Sequence, residues 1–328
     1  MMKFDVAVVG AGIAGLAAAG RLRISGCRVL LIDKARGPGG RLATRHGVGE
    51  IRMDHGCQYL VEGSDDESSI LQSDARDDCL GIWRPNCTGS NSMHLDNYPE
   101  GDLWHVGVPT MSAIPRSMAR DLQVKLKSRV ATLKRIDDDW LLLDTDDQPI
   151  AQATWVLSAI PSPQAIDLLA PHEFSGLEVM SKATYDPNWT LMVVEPGSTT
   201  GEPDVIEPQN GSIAWIVNQK SKPGRPEVDA WVAQATTRWS TDNLELDQAQ
   251  VIQKLLPEMS AAIGRQVNGE TSAHRWRYAF VNDPAGEPSL LDPDRKLAAC
   301  GDWCLGNRVT HAITSGRAAA QTILRNMK

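Results

Sequence analysis

Short unbroken apolar runs open the chain, at residues 6–9 and 29–32, and each is closed by a glycine or an acid. Runs of this length without alternation read as strands covered on both faces, the habit of a parallel sheet. Between them lies Gly10-Ala11-Gly12-Ile13-Ala14-Gly15 and then a small-residue helix predicted over 16–24, and the second run ends at Asp33. Strand, glycine turn, helix, strand and acid in that order predict a dinucleotide-binding unit. Gly10 permits the tight turn, Gly12 lets backbone approach a pyrophosphate, and Gly15 lets helix and strand pack closely. The helix N-terminus offers free N–H groups to phosphate. Asp33 at the strand tip is placed to accept ribose hydroxyls.

Farther along, alternating or continuous apolar patterns predict strands at 82–85, 104–106, 124–133, 140–144, 153–158, 189–195, 213–218, 230–236, 273–279 and 297–300. Helices are predicted at 65–80 (acidic, solvated), 111–122, 162–169, 247–263 and from Val309 to near the end. Ser112 is a plausible N-cap for the second of these, with Pro115 tolerated in its first turn. Pro257 would bend the fourth. Residues 86–97 read as a polar loop. Residues 196–212, rich in Pro, Gly and Ser, read as a lid or as plain disorder, the latter preferred.

Composition adds little that separates this chain from an ordinary globular protein. Its 328 residues allow two domains, and a formal charge of -8 gives no reason to expect nucleic acid or an anionic membrane as partner. Six cysteines (Cys27, Cys57, Cys79, Cys87, Cys300, Cys304) show neither zinc spacing nor a disulfide framework. Free thiols in a cytoplasmic setting are the expectation. No apolar run is long enough to span a bilayer, and no metal site is expected. The anomaly is tryptophan, 10 against 4 Tyr and 3 Phe. Most should be core, with a few free to line a site for a flat ligand.

Candidate chemistry gathers in three places. Soon after Asp33 and Lys34 comes Arg36-Gly37-Pro38-Gly39-Gly40-Arg41, a backbone turn with a fixed cation suited to a second approach to a diphosphate. Asp54-His55-Gly56-Cys57-Gln58-Tyr59 suggests backbone brought against a flat ring, with Gln58 and Tyr59 beside it. An ordinary hairpin turn is the alternative. Near the end, Gly301-Asp302 closes a buried strand, and a last helix opens with His311, Ala312 and Ile313. That helix start, aimed at the pyrimidine end of a flavin, would stabilise charge arising there on reduction. Where the chain returns beside the first strand, Val130 would lie near an adenine.

The glycine turn, Asp33, Gly39-Gly40-Arg41, Gly301-Asp302 and the closing helix together resemble the FAD-dependent amine oxidase superfamily. Several stretches resemble, more narrowly, the bacterial renalases: residues 54–59, Met111-Ser112-Ala113-Ile114, 161–165, His274-Arg275-Trp276-Arg277-Tyr278-Ala279 and 300–304. The likeness runs nearly end to end. Cys57 stands where alanine is usual, and Thr110 where glycine commonly precedes the methionine.

This resemblance implies an α/β protein with a Rossmann-like FAD-binding domain, built from 1–62, 107–172 and 273–328. A substrate domain of mixed sheet and helices, 63–106 and 173–272, is inserted in it. It implies non-covalent FAD and an oxidase of the 2- and 6-dihydro isomers of NAD(P)H, passing a hydride to FAD and then to dioxygen to give hydrogen peroxide. Ala14, Arg41, Gln58 and Tyr59 would touch FAD by family likeness.

Motifs and resemblance together give a cofactor-binding set of Gly10, Gly12, Ile13, Ala14, Gly15, Asp33, Lys34, Gly40, Arg41, His55, Gly56, Cys57, Gln58, Tyr59, Val130, Gly301, Asp302, His311, Ala312 and Ile313. Candidate substrate contacts are Gln58, Tyr59, Asn97, Tyr98, Trp189, Trp276 and Arg308. Loss of a hydride from a dihydropyridine leaves an aromatic cation without proton transfer, so no general acid or base is assigned. The competing readings are a true amine oxidase, which would need an aromatic cage for its amine, and a non-catalytic FAD-binding protein.

Overall fold

The computed structural model describes residues 2–47, 51–61, 79–88 and 104–327. Its first sheet runs in the order Thr132–Ile136, Asp139–Leu143, Pro149–Ser158, Lys3–Val9, Val29–Ile32, Gln123–Lys125. The opening strand is parallel to both neighbours, pairing Val6 with Val29 on one side and Trp155 on the other. The long strand Pro149–Ser158 changes partner along its length. Its first half pairs with Asp139–Leu143, and its last residues run parallel to Leu297–Ala299. The end of the chain is thereby brought beside its start, and the C-terminal tips of Lys3–Val9, Pro149–Ser158 and Leu297–Ala299 share one edge. In an open parallel sheet that edge is where ligands bind.

Close packing of two helices fixes that edge. The first helix (Ile13–Ile24) begins three residues earlier than the apolar pattern predicts, because Gly12 supplies its cap position. The closing helix (Val309–Asn326) lies against it, so near that a Cβ on Gly316 would sit 2.2 Å from the carbonyl oxygen of Ala14.

The second sheet runs Glu270–Val281, Tyr185–Val194, Ala230–Ala235, Ile213–Asn218, Val205–Ile206, Cys87–Thr88. One face is covered by the helix Gln248–Ile263, whose Val251, Leu255 and Met259 pack with Trp189, Leu191 and Trp231. Asp247 and Gln250 form a capping box at its start, and Gly264 at φ +85° ends it. The helix continues through Pro257. The other face carries Met192, Val194 and Val232 against Met53, and so turns toward the segment that follows Arg52.

Several expectations need correcting. The strand predicted at 124–133 is two strands, because Lys127 at φ 53° turns the chain and sets Lys127 N on Ala35 O and Ser128 N on Asp33 O. Ser112 does not cap its helix (Ala113–Ala119): its backbone is already helical, and its hydroxyl bonds that of Thr110 at 2.9 Å. Thr237–Asp242 is an unforeseen short helix, capped by the Thr236 side chain.

The 196–212 segment is not the plain disorder preferred above. Thr199 is bound to Asp229 (2.8 Å), Glu202 to Arg265 (2.5 Å), and Val205–Ile206 joins the second sheet. The boundary at 273 falls inside Glu270–Val281, a second-sheet strand, so the chain returns to the first sheet only after Val281. Of the predicted 65–80 helix only the end is described, and there Leu80 starts a strand, Leu80–Trp83. Of the predicted 86–97 loop, Cys87–Thr88 is a strand and 89–97 lie outside the described residues.

Candidate active site

At the edge described above, Gly10 takes φ +110°, a conformation that L side chains rarely adopt. A Cβ on Gly15 would lie 1.9 Å from Gly10 O. These two glycines are demanded by the protein's own backbone. Gly12 is different: a Cβ there would meet nothing within 4 Å. The open volume in front of Gly12 is bordered by Gly40, whose own Cβ would come 3.5 Å from the Gly12 Cα, and Gly39 N is tied to Ala11 O at 2.8 Å. Asp33 closes the strand tip, accepting from Ala11 N (2.6 Å) and Ala35 N (2.7 Å). Val130 lies in the segment that Ser128 N fastens to Asp33 O.

Next to this cradle runs the loop 54–59. Gly56 is held against the glycine-arginine turn, with Cys57 N on Arg41 O at 2.9 Å and no room for a Cβ, which would fall 2.1 Å from that oxygen. Asp54, fully buried, accepts from Thr44 Oγ1 (2.8 Å), Met111 N (3.0 Å), Lys222 Nζ (3.2 Å) and Arg225 Nη2 (2.5 Å). Lys222 also donates to Gln58 Oε1 at 3.0 Å and lies 5.3 Å from the centre of the Trp83 ring. Burial pushes its ammonium down to about 8, although Asp54 works the other way. Tyr59 stacks on Trp104 with centroids 4.2 Å apart, and Trp215 and Trp83 stand at 5.8 and 6.4 Å. On the other side, His55, His274 and Trp276 meet edge-on or tilted, and burial lowers the two imidazoles to about 3 and about 4.

The C-terminal arm reaches the same place. Gly301 N donates to Ser315 Oγ (3.0 Å), and Asp302 accepts from Arg41 Nη2 at 2.6 Å. Arg41 Nη1 donates to Ala279 O (3.1 Å). His311 keeps a buried Nδ1 without a partner, close to where a Cβ of Gly306 would be.

Residues 83–324 match the family described as flavin containing amine oxidoreductase, and residues 8–72 match an NAD(P)-binding Rossmann-like domain. The chain belongs to the flavin-containing amine oxidoreductase family. Solved structures agree in fold. A protein described as a protoporphyrinogen oxidase, from Exiguobacterium sp. 255-15, superposes at TM-score 0.74 with 13% identity, covering 98% of this chain and 99% of that one. Cyclohexylamine oxidase from Brevibacterium oxydans IH-35A gives 0.73 at 13% identity over 99% and 100%, and a putrescine oxidase bound to putrescine 0.64 at 14% over 99% and 99%.

The cofactor of this amine oxidoreductase is FAD, and the residues present fit it. Open space lies in front of Gly12, with nothing within 4 Å of where its Cβ would be, and Gly40 borders it. The first turn of a helix opens on it, an acid ends the second strand, and an arginine comes from the following turn. Gly10, Gly12, Ile13, Ala14, Gly15, Asp33, Gly40 and Arg41 are gathered at that cradle. From the closing arm, Asp302 is joined to Arg41, and Ala312 and Ile313 share a packed cluster with Ile13 and Ala14; Gly301 and His311 are their neighbours in the chain. Lys34 is exposed and donates to Gln164 Oε1 at 3.2 Å.

Other predicted contacts stand differently. Gln58 is buried and fully used: its amide donates to Asp54 O and Gly56 O, and its oxygen accepts from Gln219 and Lys222. Its side chain therefore braces the loop and does not project toward a ligand. Trp189 is 2% exposed inside the second-sheet core, with its indole N–H on Asn243 O, and lines no site. Trp276 donates to His55 O at 2.8 Å, behind the loop. Arg308 is the exposed cap residue of the closing helix. Asn97 and Tyr98 lie outside the described residues. Lys222, Arg225, Gln219, Thr190 and Gln234 were not foreseen. The local clue is a Lys-Pro-Gly-Arg turn (222–225), too common a pattern to stand out.

Proposed function

We propose that this oxidoreductase oxidises the 2- and 6-dihydro isomers of NAD(P)H with dioxygen as acceptor. The overall reaction takes one dihydronucleotide, one dioxygen and one proton to NAD(P)+ and hydrogen peroxide. FAD supplies the hydride acceptor and the route to dioxygen. What the chain itself must do is hold a flat, electron-rich ring in place and keep water away.

The observation that supports this reading is the state of the ionisable groups around the loop 54–59. Asp54 is tied to two cations, His55 and His274 are driven neutral, and burial pushes Cys57 up to about 11 and Tyr185 up to about 12. None of these is poised to take or give a proton near neutrality; the nearest group is Lys222, at about 8, and it is fully buried with its ammonium spent on Asp54 and Gln58. Hydride loss from a dihydropyridine needs no such group. The second reading, amine oxidation, calls for facing aromatic walls with a gap between them. Tyr59 instead lies flat on Trp104, with interplanar angle 9° and no space between the rings. Fold neighbours that act on amines keep that reading under test.

Two outcomes are expected. Oxygen-electrode assays with separated dihydro isomers will yield peroxide in a one-to-one ratio with NAD(P)+, and primary amines will yield none. The kcat/KM profile for the isomers will be flat between about pH 5 and 7, since the imidazoles titrate near 3 and 4 and Lys222 near 8. A bell centred near neutrality would point to a protein acid or base and against this chemistry.

A further inference from the structure

Three consecutive carbonyls, Asp54 to Gly56, are met by side-chain donors. Gln58 Nε2 donates to Asp54 O (2.5 Å) and Gly56 O (3.1 Å), and Gln234 Nε2 also donates to Gly56 O (2.8 Å). His55 O receives Trp276 Nε1 (2.8 Å) and Thr190 Oγ1 (3.0 Å), the hydroxyl sharing its proton with Asn188 Oδ1 at 3.1 Å. Thr190, Gln234 and Trp276 come from three neighbouring strands of the second sheet.

A trans peptide is planar, so its N–H points opposite to its C=O. Donors that draw the His55 carbonyl into the second sheet therefore turn the Gly56 N–H away from it. The following N–H, of Cys57, is spent on Arg41 O, whereas that of Gly56 has no acceptor among the described residues. A buried polar loop of this kind costs less when each carbonyl is satisfied, and here satisfaction also fixes peptide orientation.

We propose that Thr190, Gln234 and Trp276 are positioning residues of the cofactor site. They act through the 55–56 backbone to present the Gly56 N–H as a fixed donor to the bound flavin. The inference rests on FAD as cofactor and on no choice of substrate. A donor held in place before reduction stabilises charge that develops on the ring when electrons arrive, without reorganisation. The second sheet would in this way set the flavin's potential as well as the shape of the substrate side.

The test is the two-electron midpoint potential of bound FAD in the full chain, with Thr190→Val, Gln234→Leu and the double variant, and Thr190→Ser as the conservative control. FAD binding to each is followed by absorbance. The double variant is expected to lose tenfold in preference for reduced over oxidised flavin, a fall of about 30 mV, while Thr190→Ser keeps the wild-type value. A double-variant shift under twofold, roughly 9 mV, overturns the proposal. If Thr190→Val fails to fold, Gln234→Leu, at a half-buried position, is expected to fall by at least threefold, and an unchanged value again overturns it. Wild-type protein that takes up no FAD would instead overturn the cofactor reading itself.

Discussion

Asp54→Ala is expected to destabilise the protein by about 3–5 kcal/mol in urea titration, the range for removing one partner of a buried ion pair. The magnitude follows from what stays behind. Lys222 and Arg225 have side chains 0% and 1% exposed and share the Asp54 carboxylate. Arg225 also donates to Gly107 O (3.2 Å) and Pro109 O, so its planar group cannot swing out to solvent. Without the acid, two cations remain desolvated side by side, and Thr44 Oγ1 and Met111 N lose an acceptor. Lys222→Met should cost less than half as much, because Asp54 keeps Arg225 and an expensive buried ammonium is gone.

Stability rises with pH on account of both groups, in separate windows: the Asp54 carboxylate is favourable once formed, and the buried Lys222 ammonium is costly until it is lost. Burial alone would raise the Asp54 carboxyl, but Lys222 and Arg225, helped by hydrogen bonds from Thr44 and Arg225, hold it below the ordinary 3.8. Its contribution is complete above that value and lost as pH falls through the lowered folded one. The folded Lys222 pKa near 8 lies below the unfolded 10.5, so its contribution grows as pH rises from 8 to 10.5. In Asp54→Ala the acid-side loss disappears, which a stability curve from pH 2 to 5 will show. A destabilisation below about 1 kcal/mol would mean that water or a rearranged side chain takes the place of the carboxylate.

The second large effect separates cofactor binding from folding. Gly12→Ala is expected to leave the melting temperature of the apoprotein unchanged, since the added Cβ meets no atom within 4 Å and φ -73°, ψ 176° suits alanine. FAD affinity should nonetheless fall about 100-fold, near 2.7 kcal/mol, because that methyl occupies the space through which backbone approaches the diphosphate. Gly15→Ala gives the contrast. Its Cβ would strike the Gly10 carbonyl at 1.9 Å, so folding and binding fail together. Calorimetric FAD titration beside apoprotein melting checks both. Wild-type affinity in Gly12→Ala would place the diphosphate elsewhere.

What could be read from the chain was what neighbours in sequence decide. The strands Val29–Ile32 and Ile213–Asn218 and the helix Ser162–Leu169 match their apolar patterns residue for residue. The glycine turn also declares itself, because its demands on backbone conformation are local. The segments that misled are those fixed from afar. The 196–212 loop looks free until Asp229 and Arg265 are placed against Thr199 and Glu202. Gln58 looks like a ring contact until Lys222, 164 residues away, claims its oxygen. The aromatic group of Tyr59, Trp83, Trp104 and Trp215 likewise draws on four separate stretches, two of them strands of a small sheet (Leu60–Val61, Leu80–Trp83, Trp104–Gly107). No periodicity announces such meetings, since each depends on tertiary approach. Among the described residues, no helix is long and apolar enough to cross a membrane.

The most direct measurement mixes the FAD-loaded protein, without oxygen, with purified 6-dihydro-NAD(P) in one syringe or a panel of amines in another, following the flavin absorbance. The account predicts rapid bleaching by the dihydronucleotide with stoichiometric NAD(P)+, and none by the amines. Bleaching by amines alone would contradict it.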